Sequence, residues 1–253
     1  MNRLPALTTG HVTFGSLNNP CKLSDHTLRM WAGVMQRLES AQLMLMVSGG
    51  SAREHLMRRL ECHGIEPRRV RFVTFRPRAD YLKTYHEIDL VLDTFPYNGH
   101  TTSLDSFWMG VPVVTRVGQT PVGRAGLSLL SNLGLHELAA QSDEQFVALA
   151  VELASDLPRL SQLRQGLRQN LSESPLMDGA RFAMHVEAAY RQAWLKWSGV
   201  QAPYHVDEIP AAGLGMQVPM PARSQAQPGY DAKADAASKP CPAVSPNRPL
   251  SIP

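Results

Sequence analysis

The chain has 253 residues, 43% hydrophobic and 19% charged, with a formal net charge of +3 at pH 7. That length can bury a real core, and the composition is that of an ordinary globular protein. The mild basic excess suits a pocket for an anionic ligand and is too weak to argue for nucleic-acid binding.

Strand-like and helix-like segments alternate from Val12 onward. Residues 12–15 read as a short strand ending in a glycine turn, after which Ser24 caps a helix carrying Leu28, Trp31, Met35 and Leu38 at helical spacing. The apolar run 43–47, closed by Ser48-Gly49-Gly50, is a buried strand feeding a turn, and residues 52–63 form a helix stopped by Gly64. A strand over 70–75, a helix over 79–86 and a strand over 90–93 follow. Residues 101–109 are helical and end at Gly110; 112–117 is a strand and 123–133 a helix. Three further helices are predicted near 142–155, 158–173 and 178–197. Strands apolar on both sides and separated by helices indicate an α/β fold with a doubly wound parallel sheet. Residues 201–253 hold 10 of the 19 prolines and few large apolar groups, so 200–253 reads as a disordered tail and 1–11 as a short N-terminal remnant.

The opening residues lack the basic-then-apolar layout of a signal peptide, and no apolar run is long enough to span a bilayer. Cys21, Cys62 and Cys241 show neither a metal spacing nor a disulfide framework. The expectation is a cytoplasmic protein without membrane contact.

In open α/β sheets, ligands bind beyond the carboxyl ends of the strands. Four segments reach that edge. In the first, a strand ending at Asp93 runs through a Pro/Asn/Gly turn into a helix beginning at His100-Thr101-Thr102, with Asp105 one turn deeper. Free amides, two hydroxyls and an imidazole suit a diphosphate, and Asp105 suits ribose hydroxyls. On spacing alone, however, a simple helix cap with an acid complementing the dipole is the commoner arrangement. In the second, Asn19 and Lys22 follow a glycine turn, where a cation would stabilise a departing diphosphate; a surface lysine on a solvated loop explains the same residues. In the third, Arg78 could reach ribose or phosphate and Tyr81 could stack on a base, unless both merely open a helix. The fourth, Gly118 to Arg124, is a glycine-rich loop without the P-loop pattern, and its arginine remains open. Zinc-site, serine-nucleophile and dinucleotide motifs are absent from the sequence.

The wording of these segments goes further than their chemistry. FGSLNNPCKLS, VLDTFPYNGHTTSLDSFWMGVPVVTRVGQT and GRAGLSLLSNLGL resemble the C-terminal catalytic lobe of the O-GlcNAc transferase family, which includes the SPINDLY-type enzymes, over about residues 12–198. The resemblance implies a GT-B architecture, in which two Rossmann-like lobes face each other and the second binds the donor. It implies transfer of GlcNAc from UDP-GlcNAc to Ser or Thr hydroxyls of proteins, with no metal required. SPINDLY-type members leave fucose open as the sugar. By the same resemblance, Lys22 is the diphosphate lysine and Asn19 the amide residue before it. His100, Thr101 and Thr102 are the diphosphate cradle and Asp105 the ribose carboxylate, while Arg78 and Tyr81 replace a family lysine and a base-stacking histidine. In the family, tetratricopeptide repeats and an N-terminal lobe come first and hold the acceptor. Eleven residues before Val12 cannot contain them, so the acceptor side is expected from such a lobe or from a partner chain. The rival reading is a non-catalytic UDP-sugar-binding or partner-interaction module.

Overall fold

Six strands, β1 (Thr13–Ser16), β2 (Gln42–Met46), β3 (Val70–Val73), β4 (Leu90–Leu92), β5 (Val113–Arg116) and β6 (Ala139–Ala140), make one sheet. All their pairings are parallel and their order is β3-β2-β1-β4-β5-β6. This is a computed structural model, and it describes residues 2–199; the stretch read as a disordered tail lies outside the described residues. The interior of β2 explains the strand: Leu43, Met44 and Leu45 are fully buried, as expected where both faces of a parallel sheet are covered.

The helices are α1 (Ala6–Thr9), α2 (Asp25–Arg37), α3 (Ser51–Cys62), α4 (Arg78–Thr84), α5 (Thr101–Trp108), α6 (Ala125–Asn132), α7 (Asp143–Ser155), α8 (Leu157–Glu173) and α9 (Gly179–Ser198). With the right-handed crossovers that are the rule for parallel strands, reversal of strand order at the β1–β4 pair puts α2 and α3 on one face and α5 and α6 on the other. Helix α2 starts where the sequence places it: the Ser24 hydroxyl accepts the Thr27 amide, and Leu28, Trp31 and Met35 are fully buried.

Two features differ from the sequence reading. The strand β6 has only two residues, too few for a periodic signal. Residues 2–11 are built into the fold: Leu4 and Ala6 are buried, and the Ala6 and Thr13 amides donate to the buried Asp89 carboxylate at 2.9 and 2.8 Å. The Arg164 side chain, fully buried, donates to Asn2 Oδ1 at 2.6 Å and to the Ile88 carbonyl at 2.8 Å. Cys21 is an exposed thiol. No helix among the described residues is long and apolar enough to cross a membrane.

Candidate functional site

The strand order reverses between β1 and β4, and their following loops meet there. After β1 the chain makes a 3-10 turn, Pro20–Lys22, in which Asn19 Oδ1 accepts the Cys21 amide. After β4 it turns through a cis Phe95–Pro96 peptide into α5. The two loops are knitted together. The Ser24 and Thr27 hydroxyls donate to the Phe95 carbonyl at 2.6 and 2.8 Å, and the Trp31 indole donates to the Asp93 carbonyl at 3.2 Å.

This packing brings Lys22 to the entrance of α5. Its Nζ donates to the Asn98 carbonyl at 2.9 Å and lies 4.2 Å from the centre of the Tyr97 ring. A second link joins the loops: Thr102 Oγ1 donates to Asn18 Oδ1 at 2.7 Å. The Thr102 hydroxyl is therefore a tie between loops, and the N-cap residue His100 makes no side-chain capping bond. The commoner capping arrangement does not account for these residues. The Leu104 amide makes the first bond of α5, to the His100 carbonyl, so the Thr101, Thr102 and Ser103 amides precede the helical ladder and favour an anion.

Beneath this entrance lies Asp93, which is 1% exposed. Its Oδ1 accepts the Gly99 amide at 2.6 Å and the Thr94 amide at 2.8 Å, and its Oδ2 accepts the Thr115 hydroxyl at 2.8 Å. Burial pushes its carboxyl from 3.8 up to about 6, against the pull of those hydrogen bonds and of Lys22. Partial burial lowers the Lys22 ammonium below the ordinary lysine value, and the Asp93 charge acts in the opposite direction. One peptide thus stands between the two charges: Asn98 C=O faces the ammonium and Gly99 N–H faces the carboxylate. Only glycine fits at 99, because a Cβ there would lie 2.6 Å from Ser103 Oγ and 3.1 Å from Asp93 Oδ1.

The third segment also reaches the site. Both guanidinium nitrogens of Arg78 engage the Asp105 carboxylate, one at 2.7 Å, and the Arg78 group lies 5.4 Å from the Tyr81 ring centre. The Tyr81 hydroxyl meets the Tyr85 hydroxyl at 2.9 Å, and Tyr85 donates to the Thr102 carbonyl at 3.0 Å. Burial pushes the Tyr81 phenol up to about 12 and Tyr85 well above its ordinary value, so both rings are neutral hydrogen-bonding groups. Asp105 is therefore already paired, and the Tyr81 hydroxyl is engaged inward. The fourth segment contributes backbone only: the Asn98 amide donates to the Val122 carbonyl at 3.0 Å.

Lys22, Asn19, Arg78, Tyr81, His100, Thr101, Thr102 and Asp105 thus stand on loops and helix starts at one edge of the sheet. Asn18, Asp93, Tyr97 and Asn98 were visible in the same motifs but carried no role there, since a buried acceptor or a backbone carbonyl leaves no spacing signal. A cavity of about 570 Å³ opens at the opposite rim, lined among others by Thr8, His11, Gln42, Arg71 and His86. Its arginine is already paired with Glu87 at 2.7 Å, and no helix of the sheet crossovers begins there, so the helix-start amides that would suit an anion lie at the other edge. Among the described residues no group of three or more His, Cys, Asp or Glu is placed to hold a metal ion.

The chain is similar to proteins whose names point the same way. It is 39% identical over 203 residues to a probable UDP-N-acetylglucosamine–peptide N-acetylglucosaminyltransferase SPINDLY of Petunia hybrida, covering 79% of this chain and 22% of that one. It is 27% identical over 195 residues to the Caenorhabditis elegans UDP-N-acetylglucosamine–peptide N-acetylglucosaminyltransferase, covering 77% of this chain and 17% of that one. The solved structure of an O-GlcNAc transferase from Thermobaculum terrenum superposes with a TM-score of 0.69 at 39% identity, covering 73% of this chain and 36% of the other. The chain therefore spans less than a quarter of those two curated relatives. The family model for glycosyl transferase family 41 matches residues 3–186, which include every residue of the site, and the chain belongs to that family.

Proposed function

We propose that this chain is the donor-binding lobe of a protein O-GlcNAc transferase and that it holds the diphosphate of UDP-GlcNAc between Lys22 and the first turn of α5. The observation that carries the reading is the bond from Lys22 Nζ to the Asn98 carbonyl, two residues before the helix start at His100. An ammonium and the positive end of a helix then converge on one point, which suits a pyrophosphate.

In the proposed reaction a Ser or Thr oxygen attacks the anomeric carbon of GlcNAc with inversion. The bond from that carbon to the β-phosphate oxygen breaks, the hydroxyl proton passes to a base on the acceptor side, beyond this stretch, and UDP leaves. Lys22 and the Thr101–Ser103 amides oppose the charge that builds on the leaving diphosphate, a role assigned here to these groups rather than to a metal. Asp105, oriented by Arg78, accepts from the ribose through its remaining lone pairs, and Asn19 and His100 border the diphosphate. Tyr81 offers a flat ring to the base. The acceptor peptide is held by polypeptide beyond this stretch or by a partner chain, consistent with the share of the relatives that the chain spans. A thermal-shift comparison of UDP, GDP and ATP tests the reading. Stabilisation by UDP alone is expected, and equal stabilisation by all three, or by none, refutes it. Peptide-transfer assays then separate a transferase lobe from a module that only binds.

A further inference from the structure

Lys22, the proposed diphosphate lysine, is held by uncharged groups. Lys22 has a long, flexible side chain, so an unfixed ammonium would lose rotamer entropy on each binding event. A carboxylate is the common means of fixing a lysine, yet among the described residues no carboxylate lies within ion-pair distance of Lys22 Nζ. Its two contacts are the Asn98 carbonyl at 2.9 Å and the face of the Tyr97 ring at 4.2 Å. Both groups are neutral. Tyr97 is also 49% exposed at a rim where its neighbours Asn98 and Asp93 are buried.

We infer that Tyr97 is a positioning residue for Lys22: its ring and the Asn98 carbonyl form an uncharged clamp that aims the ammonium at the diphosphate. The proposal rests on the donor reading above and adds to it. An acid in this place would neutralise the ammonium and compete with the incoming anion. A ring attracts the cation through its quadrupole and leaves the full charge available. The carbonyl uses one of the three N–H donors, and two remain for phosphate oxygens. The counter-charge is kept one peptide away on Asp93, which reaches the ammonium only through the 98–99 amide.

The test uses the full chain with Tyr97→Phe, Tyr97→Leu, Lys22→Ala and the Lys22→Ala/Tyr97→Leu double variant. Calorimetry is run with UDP and with uridine, which lacks the diphosphate. Tyr97→Leu is expected to weaken UDP roughly two- to fivefold, the range of an exposed cation–π contact. Tyr97→Phe should match the wild type, uridine binding should be unchanged, and Tyr97→Leu should cost nothing further in the Lys22→Ala background. Equal losses for UDP and uridine, or equal losses with and without Lys22, would assign Tyr97 a merely structural part and overturn the clamp. A ligand-free readout separates this from failure of the donor reading. The Lys22 ε-methylene protons should be shifted upfield by the Tyr97 ring current and return on Tyr97→Leu. An unshifted signal in the wild type overturns the clamp whether or not UDP binds; absence of UDP heat with the shift present counts against the donor reading alone.

Discussion

Asp93→Asn isolates the cost of a buried charge under the candidate site. The carboxyl is almost fully buried and its folded-state value is raised from 3.8 to about 6. Between those two values the folded chain holds a proton that the unfolded chain has released, so this group's contribution to stability falls as pH rises from about 4 to about 6. Above that range the contribution is level. A shift of about two units corresponds to about 3 kcal/mol as an upper bound. Asparagine keeps the local bonds: its oxygen can take the Thr94 and Gly99 amides, and its NH2 can donate to the Thr115 hydroxyl, which rotates to accept. Only the ionisation is removed. Urea unfolding of both proteins across this pH range reads the difference directly, because every other carboxyl titrates in both. The expected outcome is a variant close to wild type near pH 4 that gains on it as pH rises, by up to about 3 kcal/mol at neutral pH. A constant gap, or a variant that loses ground as pH rises, would refute the argument that burial outweighs the hydrogen bonds and Lys22.

Further expectations follow from the same geometry. Lys22→Ala should weaken UDP by roughly ten- to a hundredfold, as loss of a charge-assisted contact does, with the melting curve little changed; His100→Ala should weaken it less, and unchanged calorimetric affinity in both would contradict the site. Gly126→Ala would put a Cβ 2.3 Å from Thr115 Oγ1, the hydroxyl that donates to Asp93, and should cost about 1–3 kcal/mol in urea unfolding. Arg164→Met removes buried bonds to Asn2, Tyr85 and Ile88, and should cost about 2–4 kcal/mol while making residues 2–11 accessible to limited proteolysis.

The sheet was legible in the sequence because its signals are local. The apolar run Leu43 to Val47, closed by glycines, can only be a covered strand, and Ser24 is a cap that acts on its own helix. The site was legible as four loops at one edge because topology alone puts strand ends together. Its inner bonds were not legible. Nothing in the spacing between Arg78 and Asp105 says that they will pair, since the contact spans two helices and depends on how α4 lies against α5. The Lys22 contact with Asn98 uses a backbone carbonyl, which every residue type offers. The N-terminal residues read as a remnant for a similar reason: Leu4 and Ala6 are too few to form a period, and their burial depends on Asp89 and Arg164 far away in sequence.

Asp89 and Asp93 close β4 at its two ends, and the contrast between them separates structure from function. Burial raises the carboxyl of each, so each carries a cost in stability when ionised. At the amino end the cost is offset locally: Asp89 takes the Ala6 and Thr13 amides, and the Arg164 charge favours its ionised form. That set fastens the N-terminal segment to the sheet. At the carboxyl end Asp93 has no arginine; the cation that favours its ionised form is Lys22, reached through a peptide. A fold that needed only stability there would do as well with asparagine, which makes the same hydrogen bonds without the ionisation. Retaining a carboxylate makes physical sense if its charge does something for Lys22, namely favouring the charged form of the partly buried amine, against the pull of burial, without touching it. The strand end facing the proposed diphosphate thus bears a cost that local packing does not require, which is where strain and unfavourable burial are expected to concentrate in a functional fold.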